Sequence, residues 1–245
     1  MRAALLALAF LAAPAVAEEN VASLLSQDYL QITSTFAGSQ LTVFGAIQNP
    51  PEGGTNDIVV VVRGPETLMT VRRKDRVAGM WINNARAKLW LPAYYFIATT
   101  RPLATVSDRD TLGRYELGLA NLKPEVMASD GEPAPYLGAV VRQQKGGGLY
   151  VQQDNGVEMQ SATLFRVHVP IPAGVPRGSY DVEVYLFRDG NVVSAQSTPF
   201  YVDQAGFERR LFDFAHGWPL FYGVSTVLLA IFLGWGSTLF FRSRT

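Results

Sequence analysis

Apolar and polar residues alternate along much of the sequence after residue 29, a period of two that is typical of β-strands with one buried face. In TLFRVHVPI, one predicted face consists of Phe165, Val167, Val169 and Ile171. In the run DIVVVV, the five residues after the Asp are β-branched, which indicates a strand that is covered on both faces or central in a sandwich. Turns rich in Gly and Pro separate these stretches. The pattern predicts a mainly β domain of short strands.

A helical pattern interrupts the strands after Ser107, where apolar residues recur every three to four positions. These apolar residues are Leu112, Tyr115, Leu119 and Leu122. Ser107 and Asp110 have the spacing of a capping box, which predicts the start of the helix. A second short helix is predicted in PAPYLGAVVRQQ and ends at the glycines after Lys145. We therefore expect a helical insertion over about 107–148.

The strands before and after this insertion favour one immunoglobulin-like antiparallel β-sandwich, and two successive small domains are the alternative. The turn Asp154-Asn155-Gly156 lies between LYVQQ and VEMQ, and Asn-Gly is a strong signal for a β-hairpin. We also expect Trp81 in the sandwich core, where a Trp on a central strand is common.

Both ends of the chain are apolar, but their lengths differ. Residues 1–17 combine a basic start, an apolar run too short for a span and small residues at the end, which predicts a signal peptide; an uncleaved anchor is the alternative. Residues 219–241 contain no charge and are long enough for one transmembrane helix. Because basic residues stay cytoplasmic, the tail 242–245 is expected inside and the domain 18–206 in the periplasm of a bacterial inner membrane. A juxtamembrane segment, 207–218, joins the domain to the helix.

The composition excludes several classes of function. The chain has 21 basic and 21 acidic residues, so its formal net charge is zero, which argues against a nucleic-acid partner. It has no cysteine, which removes thiol catalysis and thiolate metal sites. His168 and His216 are far apart in the sequence and lack metal-ligand spacing, and no nucleophile motif is present. We predict no catalytic residue, metal or cofactor, and a hydrolase that uses scattered carboxylates is the least favoured hypothesis.

The stretch VRRKDRVAGMWIN, residues 71–83, gathers positive charge in a chain without net charge. Its basic residues are Arg72, Arg73, Lys74 and Arg76. We expect them at a hairpin tip or strand end outside the membrane. Exposed ion pairs contribute less than about 1 kcal/mol, so folding does not require this cluster. It is a candidate contact for lipid headgroups, a small oxyanion or an acidic protein. The alternative, which the pattern alone favours, is a solvated loop that keeps an edge strand from pairing wrongly.

Residues of small or modest size recur at steps of three and four along one face of the predicted transmembrane helix. They are Gly223, Val227, Ala230, Gly234 and Ser237. In lipid, small side chains let two helices approach closely, so this face is a candidate interface with a membrane protein or a second copy of the chain. Chance is the alternative, because such residues are common in transmembrane helices.

Three stretches of the sequence carry a resemblance to a known family: VRRKDRVAGMWIN, LPAYYFIATTRPL and PAGVPRGSYDVEVYLFRDG. With its predicted signal peptide, β-rich domain and terminal helix, the chain resembles the family of putative transmembrane proteins of alphaproteobacteria, which has no established activity. Its members are often encoded near permeases that resemble sulfite exporters. The resemblance implies a partner in the transport of sulfur oxyanions and supplies no catalytic residue.

These observations predict a single-pass inner-membrane protein whose periplasmic domain is a non-enzymatic accessory or interaction subunit, with a permease as the expected partner. A periplasmic module that binds a small anion is the alternative. The sequence leaves the partner, the ligand and the oligomeric state open.

Overall fold

A computed structural model gives the fold of the chain. The residues that it describes are 19–33, 35–50, 53, 55–77, 79–204, 212 and 214–242. The predicted signal peptide and most of the predicted juxtamembrane and tail segments lie outside these residues.

The described residues form strands and helices that are numbered here in chain order. The strands are β1 (Asn20–Leu25), β2 (Tyr29–Ile32), β3 (Ser39–Gln48), β4 (Asn56–Arg63), β5 (Glu66–Val77), β6 (Met80–Pro92), β7 (Tyr95–Thr99), β8 (Glu125–Ser129), β9 (Tyr150–Gln153), β10 (Val157–Met159), β11 (Leu164–Ile171), β12 (Gly178–Arg188) and β13 (Asn191–Gln204). The helices are α1 (Leu103–Val106), α2 (Arg109–Arg114), α3 (Ala134–Gly146) and α4 (Pro219–Arg242).

Two sheets pack face to face and enclose the main core. One has the order β1-β3-β11-β10 and the other β2-β13-β12-β4-β7-β9. Alternate residues of both sheets fill the space between them, among them Leu41, Val43, Val60, Val62, Phe165, Val167, Val169, Val182, Val184 and Phe200. The mainly β, sandwich-like fold predicted from the alternation is confirmed, whereas the immunoglobulin-like topology stays a prediction. Most pairs are antiparallel, but β2 pairs in parallel with β13 and β9 with β7.

Helices α1 and α2 and the loop after them cover the outer face of the six-stranded sheet. The apolar residues that meet there include Val59, Val61, Tyr95, Ile97, Leu103, Val106, Leu112, Leu117, Leu119 and Leu122. Strand β4 is therefore buried on both faces, as its continuous β-branched sequence predicts.

Helix α2 is shorter than the sequence pattern predicts, and its cap is different. The Asp108 carboxylate accepts a hydrogen bond from the Thr111 amide at 2.7 Å, so the predicted capping box of Ser107 and Asp110 is wrong. The helix ends at Arg114 because Glu116 adopts a positive φ of 54°, which an α-helix does not allow. Helical spacing beyond this point reflects buried loop residues.

The predicted hairpin at Asp154-Asn155-Gly156 is also wrong. Asn155 does adopt the positive φ of a turn residue, 62°. However, β9 before the turn pairs with β7 in the six-stranded sheet, and β10 after it pairs with β11 in the four-stranded sheet. The turn carries the chain from one layer to the other because Val157, directly after it, is buried in the core between the two sheets.

A third sheet, in the order β5-β6-β8, forms a separate layer. Helix α3, which the sequence predicts, packs Tyr136 and Val140 against alternate apolar residues of β6. The helix ends at Gly147, whose amide donates to the Gln143 carbonyl oxygen. The insertion predicted as helical over about 107–148 is therefore only partly helical, because it also contains β8, which pairs with β6, and its helices cover faces of two different sheets.

The C-terminal helix α4 matches the predicted transmembrane segment. Residues Pro219–Ser237 have a mean hydropathy of 1.7, and none of this stretch is buried against the rest of the protein. The hydroxyl groups of Ser225 and Thr226 donate to carbonyl oxygens one turn earlier, so both polar side chains are satisfied within the helix. The length and composition fit one membrane crossing.

Candidate functional site

The basic residues of the stretch 71–83 lie near the end of a long β-hairpin formed by β5 and β6. Arg76 lies opposite Trp81 and Lys74 opposite Asn83, with the turn at Gly79, where φ is +85°. Such a φ favours glycine because it has no Cβ. The predicted position at a hairpin tip is confirmed.

The base of this hairpin is anchored in the sandwich. Only Gly64 and Pro65 separate β5 from β4, and only Ala93 and Tyr94 separate β6 from β7. The Gly64 amide donates to the Tyr94 carbonyl oxygen at 2.8 Å, and the Ala93 amide donates to the Pro65 carbonyl oxygen at 2.9 Å. The hairpin therefore leaves the centre of the six-stranded sheet through two hydrogen-bonded connections.

Helix α3 supports one face of the hairpin. Tyr136 and Val140 pack against Ala87 and Leu89, and the Tyr136 hydroxyl donates to the Asp130 carbonyl oxygen at 2.9 Å. With that face covered, the opposite face is left to solvent.

The exposed face carries a ladder of cations, because residues directly opposite each other in antiparallel strands share a face. Arg72 lies opposite Arg86, and Lys88 opposite Thr70. We define the basic face as Arg72, Lys74, Arg76, Arg86 and Lys88. Of these five, Lys88 is half-buried and the others are exposed. Arg73 belongs to the other face.

Sequence reasoning missed Arg86 and Lys88. Both lie outside the obvious basic stretch, and the hairpin register alone brings them beside it. A signal existed in the Ala78-Gly79 dipeptide between two strand-like stretches, since a turn there places residue 72 near residue 86.

Neighbouring acids neutralise the basic face only in part, since Asp130 lines a cavity together with Arg72 and Arg86. Among the described residues, Arg73 forms an ion pair with Asp75, at 3.2 Å between Nε and Oδ1. None of the ion pairs among these residues involves a residue of the basic face. The hydrogen bonds that Arg73 donates to Asp75 raise the pKa of Arg73, and the negative charge of Asp75 raises it further. Because like charges directly opposite each other destabilise a sheet, the pair Arg72 and Arg86 lowers the stability of the folded state.

A shallow cavity of about 290 Å³ opens beside this Arg pair. Its lining residues are Arg72, Asn83, Asn84, Ala85, Arg86 and Asp130. The Asp130 carboxylate accepts a hydrogen bond from the Arg86 amide at 2.9 Å, which holds the wall of the cavity in place. Two guanidinium groups and two amides can donate to a small oxyanion, whereas the charge of Asp130 opposes one.

The prediction that Trp81 packs in the core is wrong. Its side chain is 70% exposed, and its neighbours Met80 and Ile82 are 66% and 41% exposed. The hairpin extends beyond the sandwich, so residues next to its turn cannot reach the core. We call Met80, Trp81 and Ile82 the apolar tip.

The predicted helix interface lies along α4. Its residues are Gly223, Val227, Ala230, Gly234 and Ser237, and all are exposed. No neighbour lies within 4 Å of a Cβ placed on Gly223 or Gly234, so the described residues leave this face open.

The two histidines do not come together. His168 is half-buried on β11, with its Nδ1 3.3 Å from the Thr42 hydroxyl, and His216 lies before α4, with its Nδ1 3.0 Å from the Phe212 carbonyl oxygen. Among the residues that the structure describes, no group of three or more His, Asp or Glu is placed to hold a metal ion.

Comparison with known proteins agrees with this architecture. No curated protein matches the chain. The model of the family described as Putative transmembrane protein (Alph_Pro_TM) matches residues 20–243, from the first strand of the sandwich past the end of α4. The chain belongs to this family of transmembrane proteins.

Proposed function

We propose that the protein is a single-pass inner-membrane protein whose periplasmic domain acts as a non-enzymatic interaction subunit, with the basic face as its contact surface. The observation that carries the proposal is the cross-strand pair Arg72 and Arg86, which lies among three further cations on the same face of the sheet. The fold does not require positive charge on this face. Positive charge that opposes folding and exceeds the nearby negative charge is typical of a surface that meets an anionic partner.

The support of the hairpin favours the same role. Its base is hydrogen-bonded into the sandwich, and α3 stiffens one face while the other stays open. A rigid, pre-formed surface loses little conformational entropy when it binds.

The predicted orientation rests on charge at the two ends of the chain. Arg242 and Arg244 follow the apolar part of α4, and basic residues are retained on the cytoplasmic side. The predicted signal peptide favours the same orientation, with the basic face in the periplasm.

The partner that fits best is a membrane protein with an acidic periplasmic surface. The resemblance to a family encoded near sulfite-exporter-like permeases favours a permease for sulfur oxyanions. The small-residue face of α4 offers a second contact within the bilayer, either to that partner or to a second copy of the chain.

Affinity capture of the full chain from mild detergent tests this proposal. We expect a discrete membrane protein to co-purify with the wild type and to be lost from the variant Arg72→Glu/Arg86→Glu, because two reversed charges repel an acidic surface. The matched control Arg109→Glu/Lys123→Glu makes the same change of charge at two exposed residues elsewhere and should retain the partner. Equal capture by both variants, or capture of the protein alone, would contradict the proposal.

A second candidate function is the binding of a small oxyanion, which the cavity lined by Arg72 and Arg86 favours. Calorimetric titration of the full chain with sulfite, sulfate and phosphate should then release heat that Arg86→Ala abolishes. If none of the three anions produces heat, this candidate fails.

A further inference from the structure

The apolar tip is not explained by a contact through the basic face alone. Met80, Trp81 and Ile82 are consecutive large apolar residues that follow directly on the turn of the hairpin, and all three are exposed. Single exposed apolar residues are ordinary, but three in succession at the end of a projecting element mark a contact surface.

The geometry of the tip narrows the kind of partner. Trp81 lies opposite Arg76 on the basic face, whereas Ile82 lies opposite Asp75 on the other face. A protein groove that receives one face of a hairpin leaves the other face in water. A lipid surface surrounds the end of the hairpin on all sides and buries both faces together.

The residues around the tip match the chemistry of a membrane interface. Trp prefers the level of the lipid headgroups, where its ring is buried and its N–H stays solvated. Lys74 and Arg76 are the residues of the basic face nearest the tip along β5, where they can meet lipid phosphates while the apolar residues enter the interface.

The anchor keeps the domain close to a bilayer. Residues 205–218, between the end of β13 and the start of α4, are fourteen in number and extend at most about 50 Å. A tether of this length gives the tip a high effective concentration at the membrane, so a weak contact is sufficient.

We propose that the apolar tip docks on the anionic surface of the bilayer that holds α4, with Lys74 and Arg76 on the lipid phosphates. The proposal deepens the proposed function, because it gives one hairpin a lipid contact at its end and a protein contact along its face. It rests on the proposed function for the side of the membrane on which the domain lies. Docking would fix the orientation of the basic face relative to the membrane.

The absence of cysteine from the sequence permits a direct test in the full chain. Ile82→Cys is labelled with an environment-sensitive fluorophore, and the protein is placed in nanodiscs of phosphatidylcholine with or without phosphatidylglycerol. We expect blue-shifted emission, at least roughly two-fold stronger, in the anionic discs. The shift should fall in 1 M salt, where the screening length is about 3 Å, and in a Lys74→Glu/Arg76→Glu background. Met80→Cys supplies an independent second label.

The matched control is Leu24→Cys, an apolar residue that is 76% exposed in the four-stranded sheet. Equal shifts at residues 24 and 82 overturn the assignment to the tip, and equal emission in neutral and anionic discs overturns the electrostatic part. If both tip labels stay in water while Arg72→Glu/Arg86→Glu still abolishes partner capture, the lipid contact fails and the proposed function survives.

Discussion

At the scale of single residues, Asp57 shows how a buried charge is held in this fold. Its side chain is 3% exposed and lies near the start of β4. The Arg101 guanidinium donates from Nε to Oδ1 at 2.8 Å and from its terminal nitrogen to Oδ2 at 2.6 Å, and the Thr100 hydroxyl donates at 2.9 Å. The Asp57 side chain is therefore buried, whereas the Arg101 side chain, 38% exposed, reaches water.

This asymmetry predicts unequal effects of removing the two partners. Arg101→Met leaves a buried carboxylate without its counter-charge and should lower Tm by several degrees, because an unpaired buried charge is strongly unfavourable. Asp57→Asn leaves an amide that still accepts from Thr100 and a guanidinium that reaches solvent, so its Tm should fall less. Thermal unfolding followed by circular dichroism checks the order. The exposed pair Arg166–Glu158 provides the control, since Arg166→Met should change Tm little.

Buried tyrosines predict a limit to stability at alkaline pH. Burial raises the pKa of Tyr95 and Tyr185 to about 12 each, and it also raises the pKa of Tyr94, Tyr150 and Tyr180. Because the folded pKa exceeds the unfolded value of about 10, these phenols contribute stability that is complete below pH 10 and is lost as the pH rises through about 12.

Spectrophotometric titration at 295 nm, with circular dichroism in parallel, tests this expectation. The absorbance at 295 nm should rise steeply over the pH range in which the protein unfolds, because the buried tyrosines ionise as they become exposed. Complete ionisation near pH 10 with the fold intact would contradict the assigned burial.

At the scale of elements, the pairing of β3 with β11 depends on a glycine. Gly45 lies directly opposite Phe165, and a Cβ on Gly45 would lie 2.1 Å from Cζ of the Phe165 ring. The ring is 2% exposed and packed in the core between the sheets, where interiors are close-packed, so neighbouring side chains resist its displacement.

Gly45→Ala should therefore destabilise the domain by about 1–3 kcal/mol, the usual cost of overpacking. Adding Phe165→Leu should recover part of the loss, so that the double variant is more stable than the sum of the single effects predicts. Urea unfolding measures each value. Gly113→Ala, near the C-terminal end of α2 and with nothing within 4 Å of its Cβ, should instead stabilise by up to about 0.5–1 kcal/mol. Additive effects at residues 45 and 165 would exclude the clash.

Elements with a strong repeating pattern could be predicted from the sequence, and their partners could not. The alternation in β11, the β-branched run of β4 and the apolar stretch of α4 each matched an observed element. Asn155 signalled a turn correctly, but local turn chemistry does not specify which sheet receives the next strand. The sandwich could therefore be predicted from the sequence, but the passage of the chain from one sheet to the other at Gly156 could not.

The candidate site was predictable only as far as its local sequence. The cluster from Arg72 to Arg76 was visible because its residues are adjacent in the chain. Arg86 joins them through strand pairing, and the exposure of Trp81 depends on how far the hairpin extends beyond the core. Both properties arise from tertiary structure, which a periodic pattern does not encode.

At the scale of the whole molecule, the three sheets and α4 divide the physical tasks. The sandwich holds the main apolar core, and the third sheet carries the cations and the apolar tip. Helix α4 confines both to one membrane surface. The orientation of α4 thus decides which compartment the basic face meets, and every partner proposed for that face depends on it.

The two arginines that directly follow the apolar part of α4, together with the predicted signal peptide, predict a domain outside the cytoplasm. In a chain without natural cysteine, Ala195→Cys on the exposed part of β13 should react with a membrane-impermeant maleimide in intact spheroplasts. Ser243→Cys, outside the described residues and between Arg242 and Arg244, should react only after lysis, because the two arginines hold the tail in the cytoplasm. Replacing both arginines with Glu should weaken this preference and give a mixed population. Labelling of residue 243 but not of residue 195 in intact spheroplasts would place the basic face in the cytoplasm, where neither a periplasmic partner nor the outer lipid leaflet could reach it.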